Sequence, residues 1–219
     1  MEQTFLILQQ YLGKALGETI LMVSIAMVMS LLLGTLIGLV LYVSQTPLLL
    51  RNRVVNRIAG IIVNVIRSVP FVILLVVLIP LTKFITGTTI GPVAAAVPLS
   101  FSAIAFHARL VEGAFSDVDT GVLESAIATG APLPLVIRDV VFVEALPGLI
   151  RAVTVTFVSL VGYSAMAGIV GGGGIGDLAI QFGYYRYETG VMVITVILLV
   201  VIVQIAQVIG DRVAAHFVR

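Results

Sequence analysis

Long apolar runs without a charged residue are the dominant pattern in this sequence. They cover residues 19–50, 84–108, 152–176 and 189–210. Each run is longer than the roughly 20 residues that a helix needs to cross the hydrocarbon core of a bilayer. The pattern therefore predicts four membrane-spanning helices.

A fifth span is predicted over residues 58–81, where only Asn64 and Arg67 interrupt the apolar run. Pro70 lies inside this segment, and proline removes a backbone donor and disfavours helix at the residue before it. We therefore expect this span to be broken or to begin late. The sequence predicts one all-α, polytopic membrane domain over residues 1–219, with spans at about 16–43, 58–81, 92–114, 148–170 and 190–210.

Composition supports lipid as the solvent of this chain. The sequence is 60% hydrophobic and 11% charged, with a net charge of +1, and its mean hydropathy is +1.20. These values exclude a water-soluble globule, and without a run of basic residues they exclude a nucleic-acid partner. The sequence contains no cysteine, so it has neither disulfides nor thiolate metal sites.

The distribution of cations predicts the orientation in the membrane. Five spans place the termini on opposite sides, and the side richer in Lys and Arg faces the cytoplasm. This interpretation puts the N-terminus outside, the C-terminus in the cytoplasm and the polar interval 112–151 in the cytoplasm. The cytoplasmic cations are Arg51, Arg53, Arg57, Arg67, Arg109, Arg138, Arg151, Arg212 and Arg219, against Lys14, Lys83 and Arg186 outside.

The polar interval predicts a short helix followed by a sharp turn. Asp117, Asp119 and Thr120 are typical of a helix N-terminus, and Gly130 followed by Pro132 ends a helix over 122–129. A second helix is expected to begin near Pro134. Because Leu123 and Ile127 are four residues apart, they share a face beside Glu124, which suits docking into a groove on a partner.

This interval resembles a known signature. Glu124-Ser125-Ala126, with Gly130 six positions after the glutamate, is similar to the cytoplasmic loop of the membrane subunits of binding-protein-dependent ABC importers. The signature usually ends in Leu-Pro, and this chain has Phe142-Val143 at those positions. The resemblance implies an ATPase-coupling region at about 115–147. Its candidate residues are Leu123, Glu124, Ser125, Ala126, Ile127, Gly130 and Ala131.

Three further segments resemble the permease subunits of D/L-methionine ABC importers. They are Arg67-Ser68-Val69-Pro70-Phe71, the run from Gly162 to Gly168, and the run from Asp177 to Tyr187. The resemblance covers nearly the whole chain. It implies a type I importer permease fold, alternating access, a homodimer, two cytoplasmic ATP-binding subunits and an extracytoplasmic methionine-binding protein.

The chain carries no phosphate-binding Gly-x-x-x-x-Gly-Lys-[Ser/Thr] sequence. We therefore expect no enzyme activity and no bound cofactor in this subunit, with ATP and Mg²⁺ used by the partner ATPase. Two alternatives remain open on the residues alone: a permease for another small amino acid, and a gradient-driven carrier. An intramembrane enzyme is disfavoured because no paired carboxylates, Ser/His constellation or metal cluster is visible in the spans.

Tyr163, Ser164 and Met166 place two hydroxyls and a thioether in an aliphatic span. They are candidates for the translocation path, together with Ser68 and Pro70. The competing interpretation is hydrogen bonding and gap filling between helices. Arg67 is interpreted as a snorkelling residue at the membrane surface rather than a substrate ligand.

Several other motifs have a structural interpretation that we favour. Gly171, Gly173 and Gly176 match a dinucleotide-binding pattern but follow a membrane span, so we expect a flexible connection; a role in gating the path is the alternative. Gly34 and Gly38 favour close packing inside the chain over dimerisation. The two histidines, His107 and His216, are expected to be interfacial packing residues rather than catalysts or metal ligands.

Overall fold

The computed structural model describes residues 2–217, and the described chain consists of helices joined by short loops. Arg219, one of the predicted cytoplasmic cations, lies outside the described residues. The helices are α1 Glu2–Met29, α2 Thr35–Gln45, α3 Arg53–Ser68, α4 Phe71–Val77, α5 Ile79–Thr86, α6 Pro92–Ser116, α7 Thr120–Ala128, α8 Leu133–Leu135, α9 Phe142–Glu144, α10 Leu146–Ala167, α11 Gly174–Leu178 and α12 Thr189–His216.

The first span is part of a much longer helix than the sequence predicts. A π-helical turn at Ser30–Gly34 joins α1 to α2 without a break, so that Gln3–Gln45 form one helix of 43 residues. At 1.5 Å per residue this helix is about 64 Å long, roughly twice the hydrocarbon thickness. Its first turns therefore extend past the lipid tails, where Ala15 packs with Ile175 and Phe182.

The second span is broken at the expected place. Asn52 accepts hydrogen bonds from the backbone of Val54 and Val55 and so begins α3. The extended backbone at Val69 and Pro70 ends α3, and α4 leaves at an angle of 103° to it. The described residues thus contain four helices able to cross a membrane, or five with this bent pair, which confirms the predicted count of about five.

The remaining three spans lie close to their predicted positions. α6 begins at Pro92, directly after Gly91, whose φ is +100°. α10 ends in a 3₁₀ turn at Gly168–Val170, and α12 runs to His216. Each helix extends only a few residues beyond the predicted bounds.

Helix α6 lies at the centre of the bundle and contacts α1, α2, α3 and α10. A Cβ on Gly38 would lie 2.7 Å from the Ala108 carbonyl oxygen and 2.8 Å from the Val111 Cβ. A Cβ on Gly34 would lie 3.1 Å from that of His107. The small residues therefore let α2 approach α6 within one chain, and the predicted intramolecular packing is confirmed.

Candidate translocation path and coupling region

The short helix α7 forms for the reasons that its sequence indicates. The Asp119 carboxylate accepts a hydrogen bond of 2.6 Å from the backbone N–H of Gly121 and so caps the first turn. At the other end, Gly130 has a φ of +78°, a left-handed conformation that glycine adopts without strain. Pro134 then occupies the first turn of α8 as expected.

The apolar face of α7 packs on its own chain. Leu123 is 1% exposed and belongs to a buried cluster that we call the coupling core, on which Ala126, Ile127 and Ala131 also pack. The prediction that Leu123 projects into a partner's groove is therefore wrong, because this side chain is already covered. The buried members of the coupling core are Tyr42, Val111, Phe115, Leu123, Val136, Val141, Ala145 and Ala152.

The coupling core joins α7 to the ends of three long helices. Tyr42 comes from α2, Phe115 from α6 and Ala152 from α10, and the Phe115 ring lies 5.6 Å from that of Tyr42 between centroids. A displacement of α7 must therefore move these helix ends, because close-packed side chains transmit strain. The opposite face of α7 carries Glu124 and Ser125, which are exposed together with Gly130.

A second group of candidate residues meets at the break between α3 and α4. The ring of Phe71, the first residue of α4, stacks on Tyr163 of α10 with centroids 4.7 Å apart. Ser68 and Pro70 are exposed beside this pair. The structure thus brings four of the five predicted path residues to neighbouring helices, since Met166 is also on α10 and 41% exposed.

Ser164 does not share this surface. Its side chain is 2% exposed, and its hydroxyl donates to the Val161 carbonyl at 2.7 Å. The prediction that Ser164 faces the path is wrong, because one helical residue turns it about 100° from Tyr163 and into the bundle. Its hydroxyl bonds to its own helix α10, so the contact is not the hydrogen bond between helices of the competing interpretation; it satisfies the buried hydroxyl locally.

Arg109 fixes the position of α3, and the sequence reasoning missed this role. Its guanidinium lies on α6, 2.5 Å from the Glu112 carboxylate, and donates to the Gly60 carbonyl at 3.2 Å and the Asn64 side chain at 3.0 Å. The signal available in the sequence was an Arg–Glu pair three residues apart near the end of a span. Arg109 thereby ties α6 to α3 before the bend at Val69 and Pro70.

His107 is buried rather than interfacial. It is 1% exposed, with Nδ1 at 2.8 Å from the Thr156 hydroxyl and Nε2 at 3.2 Å from the Thr35 hydroxyl. Thr156 donates its own proton to the Ala152 carbonyl, so the Nδ1–H of His107 donates to the Thr156 hydroxyl. The buried histidine thereby links α2, α6 and α10. His216 is exposed, next to Phe217.

The glycine-rich loop after α10 forms a turn held by α1. Gly173 has a φ of +76°, and the next two backbone N–H groups donate to the Glu18 carboxylate at 2.8 Å and to the Thr19 hydroxyl at 2.9 Å. The glycines therefore form a connecting turn, and hydrogen bonds to α1 hold it in place, whereas the sequence predicted a flexible connection.

Beside this turn, Asp177 lines a cavity of about 440 Å³ together with Lys14, Glu18 and Gln181. Burial raises the pKa of the Asp177 carboxyl, and the nearby Glu18 charge raises it further, against the hydrogen bonds from Gln181 and the charge of Lys14. Across residues 2–217, no group of three His, Cys, Asp or Glu side chains is placed to hold a metal ion.

Residues 30–219 match the protein family described as "Binding-protein-dependent transport system inner membrane component". The chain belongs to this family. It is thus a multi-pass inner-membrane permease component of an ABC transporter, and the resemblance drawn from the sequence is confirmed.

Curated relatives of the family match along almost their whole length. The probable D-methionine transport system permease protein MetI of Vibrio cholerae is 48% identical over 209 residues, covering 95% of this chain and 93% of its own. Its counterpart in Pasteurella multocida is 42% identical, covering 95% and 96%.

A solved structure agrees. A chain of the MetNI methionine ABC transporter in an inward-facing conformation superposes with a TM-score of 0.93 at 41% identity, covering 97% of this chain and 98% of that one. The fold is the type I ABC importer permease fold.

Proposed function

We propose that this chain is the membrane-spanning permease subunit of an ATP-driven importer that carries methionine across the bacterial inner membrane. The observation that carries the proposal is the full-length similarity to permeases named for D-methionine transport, at 48% and 42% identity. The TM-score of 0.93 to a chain of a methionine ABC transporter supports it independently through the fold.

In this proposal two copies of the chain assemble with two cytoplasmic ATP-binding subunits and an extracytoplasmic methionine-binding protein. The sequence lacks a phosphate-binding loop, so ATP and Mg²⁺ act in the partner ATPase and this subunit binds no cofactor. Five spans are few to enclose a route for an amino acid. A two-fold dimer supplies a route along its axis and matches two ATPase subunits.

Helix α7 is the mechanical link. Its exposed face, with Glu124, Ser125 and Gly130, contacts the ATPase, while Leu123 and Ile127 hold it against the coupling core. Closure of the ATPase dimer on ATP displaces α7, and the coupling core passes that displacement to the ends of α2, α6 and α10. These helices then reorient around the path, which is alternating access.

The path runs beside the break between α3 and α4. Ser68, Pro70, Tyr163 and Met166 contribute to its wall. A thioether and an aromatic ring suit the side chain of methionine, because sulfur and aromatic groups attract each other at close range. The break itself is suited to movement, since the backbone at Val69 and Pro70 lies outside both helices.

The proposal is tested by uptake of labelled methionine into proteoliposomes that contain this chain, its ATPase and its binding protein. We expect uptake to require ATP and all three components, and to be lost in Glu124→Lys. Asp211→Lys is the matched control, because it reverses another exposed carboxylate, on α12 and outside the coupling region.

Other outcomes separate the alternatives. ATPase activity stimulated by the binding protein without methionine uptake would reassign the substrate to another small amino acid, to be found by competition. Uptake by this chain alone, driven by an ion gradient, would replace the importer with a carrier. Normal uptake in Glu124→Lys would remove α7 from the coupling mechanism while leaving the importer in place.

A further inference from the structure

Three arginines line one cleft at the junction of α2 and α3. The cleft has a volume of about 630 Å³, and its lining includes Arg51, Arg53 and Arg57 as well as Gln45 and Asn56. Within residues 2–217, none of the three guanidinium groups has a carboxylate partner within 4.0 Å. Three like charges around one space repel each other, so an anion in the cleft lowers the energy of the arrangement.

The backbone that carries these arginines is fixed by hydrogen bonds. The Asn52 N–H donates to the Ser44 carbonyl at 2.9 Å. The Asn56 amide donates to the Leu41 carbonyl at 3.0 Å and to the Ser44 hydroxyl at 3.3 Å. The turn from α2 into α3 is therefore held before any ligand arrives, which reduces the entropy lost on binding.

The chemistry of the lining favours a phosphate group. A guanidinium presents parallel N–H donors that match two phosphate oxygens, and it is the preferred residue for phosphate recognition. Gln45 in the same lining donates one amide hydrogen to the Ser116 hydroxyl and keeps the other for a remaining phosphate oxygen. The cleft also lies where the long first helix ends at Gln45, a position expected at the level of the lipid headgroups.

The outer face of α3 indicates that the phosphate belongs to a lipid. An apolar stripe continues from the cleft along the helix, with side chains 55–66% exposed. Its members recur with helical period on one face, about 100° wide, whereas the opposite stripe with Val63 is buried against the chain. Acyl chains can lie on this stripe while the headgroup occupies the cleft. The stripe consists of Val54, Ile58, Ile61, Ile62 and Val65.

We propose that this cleft binds the phosphate headgroup of an anionic phospholipid, whose acyl chains lie on the apolar stripe of α3. The proposed orientation places the lipid in the cytoplasmic leaflet, but binding itself does not depend on that orientation or on the transported substrate. An occupied site ties the start of the bent second span to the bilayer surface.

The test uses the natural absence of tryptophan from the chain. Val54→Trp, at the edge of the cleft, reports on phospholipids with brominated acyl chains added to the full-length chain in detergent. We expect brominated phosphatidylglycerol to quench the tryptophan at roughly 10-fold lower mole fraction than brominated phosphatidylcholine, because each arginine near the surface attracts anionic lipid. Replacing all three arginines by glutamine in this background removes the preference.

Arg67→Gln in the same Val54→Trp background is the matched control, since it removes an exposed arginine of α3 that does not line the cleft. It should keep the preference; an equal loss would indicate diffuse charge and overturn the site. Equal quenching by both lipids would overturn it as well. Displacement of the lipid by excess inorganic phosphate would reassign the cleft to a free anion.

The same quenching is then measured in the assembled transporter, whose partner subunits are made without tryptophan. Quenching that persists in the complex supports a lipid site in the working importer. Quenching seen in the isolated chain but absent from the complex would show that a protein partner covers the cleft, and the lipid assignment would fall.

Discussion

At the scale of single residues, Gly38 marks the closest approach of α2 to α6. Gly38→Ala places a methyl group 2.7 Å from the Ala108 carbonyl oxygen. Relief of this contact requires helix displacement, so we expect a loss of about 1–3 kcal/mol and a lower melting temperature in detergent. Gly13→Ala is the control: nothing lies within 4 Å of its new Cβ, and alanine favours helix over glycine by roughly 0.5–1 kcal/mol. Equal melting temperatures for both variants would contradict the packing.

The surroundings of Asp177 determine the sign of its contribution to the pH dependence of folding stability. Its pKa in the folded chain is raised above the ordinary value of 3.8, first by burial and then by Glu18. Between 3.8 and the raised pKa the folded state holds the proton more firmly, so this group makes stability fall as pH rises through that window. Asp177→Asn removes the charge, and we expect a higher melting temperature at neutral pH and a weaker decline from acid pH.

The control for this titration is Asp211→Asn, which removes an exposed carboxylate that accepts from Gln207 as Asp177 accepts from Gln181. Both variants are scanned for melting temperature from pH 4 to 8. An Asp177→Asn curve parallel to that of the parent chain would contradict the assigned role of burial.

At the scale of elements, the cap of α7 is the feature most open to test. Asp119→Ala leaves the Gly121 N–H without its partner, which costs about 1 kcal/mol of helix stability. A frayed first turn transmits less of the ATPase displacement, so we expect fewer methionine molecules imported per ATP hydrolysed, with nearly unchanged melting of the whole chain. The measurement is uptake and hydrolysis in the same proteoliposomes.

Asp119→Ser should restore coupling, since serine caps a helix as aspartate does. Asp117→Ala, which removes the neighbouring exposed carboxylate that caps nothing, should behave like the parent chain. A coupling ratio that falls equally in Asp117→Ala would point to surface charge instead of helix order.

The elements also show what could be read from the sequence and what could not. The spans of α6, α10 and α12 and the ends of α7 follow from signals within a few residues, namely apolar length, an aspartate cap and a left-handed glycine. The long start of α1 was missed because hydropathy marks only the part in lipid. Its outer turns are stabilised by Ile175 and Phe182, more than 150 residues away in sequence.

The candidate site divides in the same way. Residue types predicted which segments contribute to the candidate site. The direction in which the side chains of Leu123 and Ser164 point, however, depends on which neighbouring helices pack over them. Leu123 meets Phe115 and Val141, and no local pattern distinguishes that from docking on another protein. Arg109 acts on Gly60 and Asn64 across 45 or more residues, so its role appears only when α3 and α6 are brought together.

At the scale of the whole molecule, buried clusters separate the two ends of the bundle. The coupling core gathers the ends of α2, α6 and α7 with the start of α10, while a second cluster gathers the start of α1 with α11 and the start of α12. Successive helix ends are expected to fall on alternate sides of the bundle when each long helix crosses the membrane once. This arrangement also separates the surface proposed for the ATPase from the cavity beside Asp177 by the full length of the spans.

The cysteine-free sequence allows this arrangement to be mapped directly. We place single cysteines at three exposed positions: Leu48→Cys between α2 and α3, Thr89→Cys before α6, and Ala128→Cys on α7. The proposed orientation predicts that a membrane-impermeant maleimide labels Thr89→Cys in intact cells. Leu48→Cys and Ala128→Cys should react only after the membrane is permeabilised, because the excess of arginine holds their loops in the cytoplasm.

Each pair of positions tests one crossing. Thr89 and Ala128 flank α6 alone, so labelling of both in intact cells would mean that α6 does not span. Leu48 and Thr89 flank the bent segment from α3 to α5, and labelling on the same side would make it a re-entrant hairpin and reduce the count to four. A complete reversal of the pattern would keep five spans but place α7 outside, where no ATPase could reach it, and the coupling mechanism would fail with it.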